Sequence, residues 1–190
     1  MLSSKLSIDT VVAARYVSFF PIGAMILTPF IGAFLDFKGK GATMMIYGAI
    51  LLTISHLIFA LVPEASFTPF IAILTIVILG TAFSLVPASM WPSLPKIVEN
   101  RYLGSAYGLI FYIQNIGLLL VPMLIGFALS ASNPGVAEQI QNNVAGARYD
   151  YTIPEIIFAC FGVAAFFLGI VLKRIDIKKG YGLDKPNKNK

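Results

Sequence analysis

The side chains of this chain that could do chemistry in an apolar setting are few, and they cluster. Within 102–137, a stretch free of Asp, Glu, Lys and Arg, Tyr107, Phe111, Gln114 and Leu118 recur at i, i+4, i+7 and i+11. That spacing stacks a phenol, a ring and an amide on one helical face. Asn115 stands beside them. An amide turned toward lipid has no hydrogen-bond partner, so Gln114 and Asn115 belong against protein or a water-filled cavity. Two uses fit: an interhelical hydrogen bond of about 0.6 to 2 kcal/mol, or contact with a bound solute. Gly104 and Gly108 on the same helix form a small-xxx-small groove suited to helix packing. Upstream, Pro87, Pro92 and Pro95 bend a helix and free its carbonyls beside Ser84, Ser89 and Trp91. A Trp-Pro pair also marks a membrane interface, so Trp91 reads as an anchor or as a cavity wall. His56, the single histidine, lies in an apolar run where an imidazole can relay protons or pack.

Other chemistries lack their parts. The one cysteine, Cys160, excludes a disulfide framework and a cysteine metal site. A membrane enzyme needs a nucleophile, a metal set or paired carboxylates at one depth, and the acids here fall almost entirely between the apolar runs. No cofactor, no metal and no nucleic-acid partner is expected. The lysine-rich tail could serve as an anionic patch reader, but a disordered basic anchor accounts for its composition.

These residues need helices of membrane length to position them. The chain is 57% hydrophobic and 12% charged, with mean hydropathy +0.82, so the bilayer is its solvent. Stretches free of acidic and basic residues cover 16–35, 41–63, 65–95, 102–137 and 156–172, each close to the roughly 20 residues a spanning helix requires. The expected spans are about 15–36, 41–62, 67–94, 102–130 and 154–173, making a transmembrane domain over 15–172. It is preceded by an external loop (1–14) and followed by a basic cytoplasmic tail (173–190). Placing Lys38, Lys40 and the tail inside puts every basic residue except Lys5, Arg15 and Arg148 on the cytoplasmic side. The N-terminus is then external, an awkward start that suggests a further helix upstream.

The turn after the first span reads Gly32-Ala-Phe-Leu-Asp36-Phe-Lys38-Gly39-Lys40-Gly41. Asp36 there can accept hydrogen bonds from a neighbouring helix start, Gly32 can admit close helix approach, and Gly39 can permit the tight turn. Gly32, Asp36, Gly39 and Lys40 match the loop signature of the major facilitator superfamily, which the chain resembles. Phe37 and Gly41 occupy positions where that signature has basic residues. Ser55-His56-Leu57, Ser89-Met-Trp91-Pro92-Ser-Leu-Pro95, Leu103-Gly104-Ser-Ala-Tyr107-Gly108 and Ile113-Gln114-Asn115-Ile-Gly117-Leu118 follow in order, over about 30–127. Together they are similar to the lysosomal dipeptide transporter branch of that superfamily.

The resemblance implies an all-α membrane protein whose five spans are helices eight to twelve of a twelve-helix transporter. Such a bundle is a partial six-helix half, with the N-terminal half as a partner in cis or trans. It implies a small organic substrate, such as a dipeptide, moved down its gradient by alternating access. Trp91, Tyr107, Phe111, Gln114 and Asn115 would lie on cavity-lining helices, while Gly32, Asp36, Gly39 and Lys40 would form a gating loop and His56 would pack on a flank. The membrane would be a bacterial inner membrane, or a lysosomal one in a eukaryote. The alternative class is a non-transporting membrane fragment or accessory subunit.

Overall fold

A computed structural model describes residues 1–187 and is all-helical over them. In chain order the helices are α1 (Leu2–Leu6), α2 (Thr10–Val17), α3 (Phe19–Lys38), α4 (Gly41–Leu61), α5 (Pro69–Ile97), α6 (Leu103–Ser132), α7 (Val136–Gln141) and α8 (Thr152–Lys179). Five stretches are long and apolar enough to cross a membrane: Thr10–Lys38, Gly41–Leu61, Pro69–Ile97, Asn100–Ser132 and Thr152–Lys179.

The ends differ from expectation. Residues 1–14, expected as a loop, hold α1 and the start of α2, because the Asp9 carboxylate caps α2 by accepting from Val11 N–H at 2.7 Å. At Ser18 the chain passes into α3. The expected disordered tail is also ordered as far as Asn187. α8 runs on through the basic cluster to Lys179, Gly180 turns at φ 71°, and the chain folds back until Leu183 is completely buried.

Lipid is as apolar as leucine, so the helices gain little by hiding leucine from it and associate instead through close fit. α4 packs at close range against α5 and α8. A Cβ on Gly162 of α8 would stand 3.1 Å from the Thr53 Cα and amide nitrogen; on Gly169 it would stand 2.9 Å from Ile46 Cγ1. On Gly48 of α4 it would stand 2.7 Å from Val86 Cγ2. Small residues on these three helices, Ala42, Ala49, Ser55, Ala72, Thr75, Ala82 and Ala159, are buried. Large residues such as Phe30, Phe70, Phe127 and Leu168 point outward, which suits a hydrocarbon solvent. α3 lies along α5, whereas α6 stands at the margin with no buried residue.

The end of the bundle opposite Lys38 is tied by polar contacts. Asn133 Nδ2 donates to the Asp150 carbonyl and its Oδ1 accepts from Asp150 N–H, closing the α6 to α8 connection. Arg148 pairs with Glu64 at 2.5 Å and donates to the Ser4 carbonyl. Lys5 donates to the Val62 carbonyl at 2.8 Å, and burial lowers its pKa.

Candidate functional site

The sequence-predicted ring residues come together at the joint where α5 ends and α6 begins. Trp91 stacks on Phe111 with ring centroids 4.9 Å apart and lies 5.8 Å from the Tyr107 ring. α5 stays helical through Pro87, Pro92 and Pro95. Proline has no N–H, so Pro95 leaves the carbonyl of Trp91, four residues earlier, without its helical donor. The Tyr107 hydroxyl donates to that carbonyl at 3.2 Å. The proline that loosens α5 thus creates the acceptor that holds α6 to it.

Farther along α6 the two amides separate in role. Asn115 Nδ2 donates to the Phe111 carbonyl at 2.8 Å, a bond within its own helix. Gln114 is exposed and its amide makes no hydrogen bond among the described residues. The interhelical bond considered for both is therefore not formed with any described helix, and the Gln114 amide is available to something else. Gly104 and Gly108 have no atom within 4 Å of where a Cβ would stand, so their groove is likewise unused by the described helices. Ser84 donates to the Gly80 carbonyl at 2.9 Å, Ser93 to that of Ser89 at 2.6 Å, and the buried Ser89 hydroxyl has no partner among the described residues.

The signature turn is built differently from its expected role. Gly39 sits at φ 76°, ψ −136°, a conformation open to glycine, and Lys40 follows in the left-handed region. Nothing comes within 4 Å of a Cβ on Gly32, so the close approach expected there is absent among the described residues. Asp36 accepts from Asn187 Nδ2 at 3.3 Å, a side chain of the folded-back tail. A second carboxylate, Asp184, meets a helix start. It accepts from Thr43 N–H at 3.1 Å and Thr43 Oγ1 at 2.8 Å, in the first turn of α4, and Lys173 approaches to 3.1 Å. Burial opposes ionisation of Asp184, but the Thr43 bonds and Lys173 outweigh it and lower its pKa below the usual carboxylate range. The group therefore stabilises the fold fully above that range and loses its contribution as pH falls through the folded value. Asp184 was missed in sequence because Thr43, which it caps, is 141 residues away.

A third place was half seen. His56, expected to pack on a flank, is paired: its Nδ1 lies 2.7 Å from Glu155 Oε2, with the two side chains 12% and 10% exposed. The Phe158 ring stacks on it at 4.9 Å. Glu155 sits in the first turn of α8, where the helix dipole favours a carboxylate. The pair borders a cavity of about 320 Å³ whose other walls include Phe20, Phe59, Ile76 and Leu79.

The family model described as Major Facilitator Superfamily matches residues 2–187. The lysosomal dipeptide transporter MFSD1 of Mus musculus is similar at 31% identity over 105 residues, covering 55% of this chain and 21% of the relative. The Homo sapiens protein of that name is similar at 29% over 105 residues, 55% of this chain and 21% of its own length. That of Gallus gallus is similar at 31% over 103 residues, 54% and 22%. The chain thus spans about a fifth of the length of the curated relatives it matches. No solved structure matches it.

Proposed function

Because the chain belongs to the Major Facilitator Superfamily, we propose that it is part of a secondary-active or facilitative transporter that carries small organic solutes, short peptides among them, by alternating access. The observation that carries this reading is the face of α6. A membrane-length helix with no buried residue presents a Gln114 amide that makes no hydrogen bond among the described residues, beside the Trp91, Tyr107 and Phe111 rings. An amide side chain can match the backbone of a short peptide while rings cover its apolar surface. Asn115 adds its carbonyl oxygen at the same level, and Gly32, Asp36, Gly39 and Lys40 supply the gating loop. The N-terminal half of the transporter is the partner that closes the cavity, with rocking of one half against the other as the transport movement. Peptide termini need charged partners, and that half supplies most of them. The peptide substrate is suggested by the relatives whose names state it.

Counter-flow of labelled dipeptides into liposomes, driven by unlabelled dipeptide inside, tests this in the transporter that contains the chain. Flux without dipeptide dependence would remove the substrate class; no flux of any small solute would favour a non-transporting membrane subunit. In the same protein Gln114→Leu keeps size and removes donor and acceptor, so it should weaken dipeptide binding by about 1 to 3 kcal/mol. Unchanged affinity would make Gln114 a packing residue.

We further propose that Lys38, Lys40 and the tail face the cytoplasm of a bacterial inner membrane, since this threading leaves only Lys5, Arg15 and Arg148 outside. Cys160 is exposed, so a Cys160→Ser background is needed. In it, Ser132→Cys should react with an impermeant maleimide in intact cells, and Lys178→Cys only after permeabilisation. The reverse pattern would invert the topology.

A further inference from the structure

We propose that residues 180–187 act as a releasable strap on the gating loop, so that the chain's own C-terminal segment sets how freely the turn between α3 and α4 can move. That it regulates transport rests on the transporter reading above; that it holds the loop does not.

The strap reaches four helices at the Lys38 end of the bundle. Its apolar anchor is Leu183, fully buried, whose N–H donates to the Asp176 carboxylate of α8 at 3.0 Å. Its carbonyls serve α4: Lys40 N–H donates to Asp184 O at 3.0 Å and Gly41 N–H to Leu183 O at 3.1 Å. The first N–H groups of any helix lack intrahelical partners, and α4 has no side-chain cap from its own N-cap residue, Lys40. The Asp184 carboxylate completes the cap on Thr43. Lys96 of α5 donates to the carbonyls of Gly182 at 3.3 Å and Lys185 at 2.8 Å, and Lys173 of α8 donates to Thr43 Oγ1 at 2.6 Å. On α3, Asn187 N–H donates to the Leu35 carbonyl at 3.3 Å and its Nδ2 to Asp36.

The glycines of the signature turn are shaped for this occupant. A Cβ on Gly39 would overlap the Asp184 carbonyl and stand 2.5 Å from Lys185 C; on Gly41 it would stand 2.8 Å from the Leu183 carbonyl. Both positions are thus filled by strap backbone. Release is also provided for. The segment is non-helical, it is hinged by Gly180 at φ 71° and Gly182 at φ 78°, and apart from Leu183 it is held by polar contacts at the end of the bundle. Segments with little buried apolar surface open at lower free energy than the core.

Hydrogen exchange on the full chain in nanodiscs tests the strap directly, with Leu183→Ala and the isosteric Asp184→Asn as separate variants. Peptides covering 38–44 should exchange roughly tenfold faster in either variant, while those in the middle of α4 and α5 stay as in the parent. Unchanged exchange at 38–44 in both variants, or acceleration throughout the chain, would overturn it. In the transporter containing the chain, the same variants should change dipeptide counter-flow while the dissociation constant for dipeptide stays the same. Unchanged counter-flow alongside faster loop exchange would overturn the regulatory role. A parent transporter that moves no dipeptide would refute the functional reading while leaving the exchange result to decide the strap.

Discussion

Replacing His56 with leucine is expected to destabilise the folded chain by about 1 to 3 kcal/mol or more, the usual consequence of leaving a buried polar group without its hydrogen-bond partner. The Glu155 carboxylate is 10% exposed and its partner lies 2.7 Å away on α4. Without the imidazole a charged or protonated carboxyl faces Phe59, Ile76 and Leu79 across the cavity. Adding Glu155→Gln to His56→Leu should recover a large part of the loss, because a neutral amide is cheaper to bury than an unpaired charge. Lys5 contributes a weaker attraction to Glu155 from α1 and is left intact in both variants. Chemical unfolding in detergent micelles measures each effect. A loss below about 1 kcal/mol for His56→Leu would mean that water screens the pair as it does at a surface.

At the seam between α4 and α8, Gly162→Val should cost about 1 to 3 kcal/mol or more, in the range of overpacked cores. The obstacle is backbone: the Thr53 Cα and nitrogen lie 3.1 Å from the first added carbon, and Thr53 Oγ1 lies closer still. The helices must therefore separate, which also loosens Gly169 against Ile46 farther along. Gly126→Ala on α6 is the matched control. Nothing stands within 4 Å of its new methyl, and alanine in a helix interior gains roughly 0.5 to 1 kcal/mol over glycine. The same unfolding measurement reads both. A Gly162→Val variant as stable as its parent would mean that the two helices are not in contact in the membrane.

What could be read from the sequence follows the range of the physics involved. The five spans were legible because a bilayer demands about 20 apolar residues in a row, a requirement written locally. The Trp91, Tyr107 and Phe111 cluster was legible through helical spacing and the proline bend. The bond from Tyr107 to the Trp91 carbonyl was not, since it depends on how α6 docks on α5. The start of α2, 10–14, is read as loop because Arg15 marks the entry to the first apolar run, although Asp9 followed by Thr10 is a helix-start signal. Glu155 was assigned to the end of a span with no partner, and nothing local joins it to His56, 99 residues away. The tail misled most. Its lysines favour solvent, and composition outweighed the single Leu183 flanked by Gly182 and Asp184, whose meaning depends on distant partners on α4 and α8.

Trp91 is the chain's one tryptophan, and its position makes the protein a fluorophore carrying its own reporter. The indole lies against Phe111, and its backbone carbonyl is bound by Tyr107, both across the joint to α6. Any swing of α6 away from α5 would unstack the indole and change its solvent exposure, so emission wavelength and quenching by iodide or acrylamide would follow that swing without an attached dye.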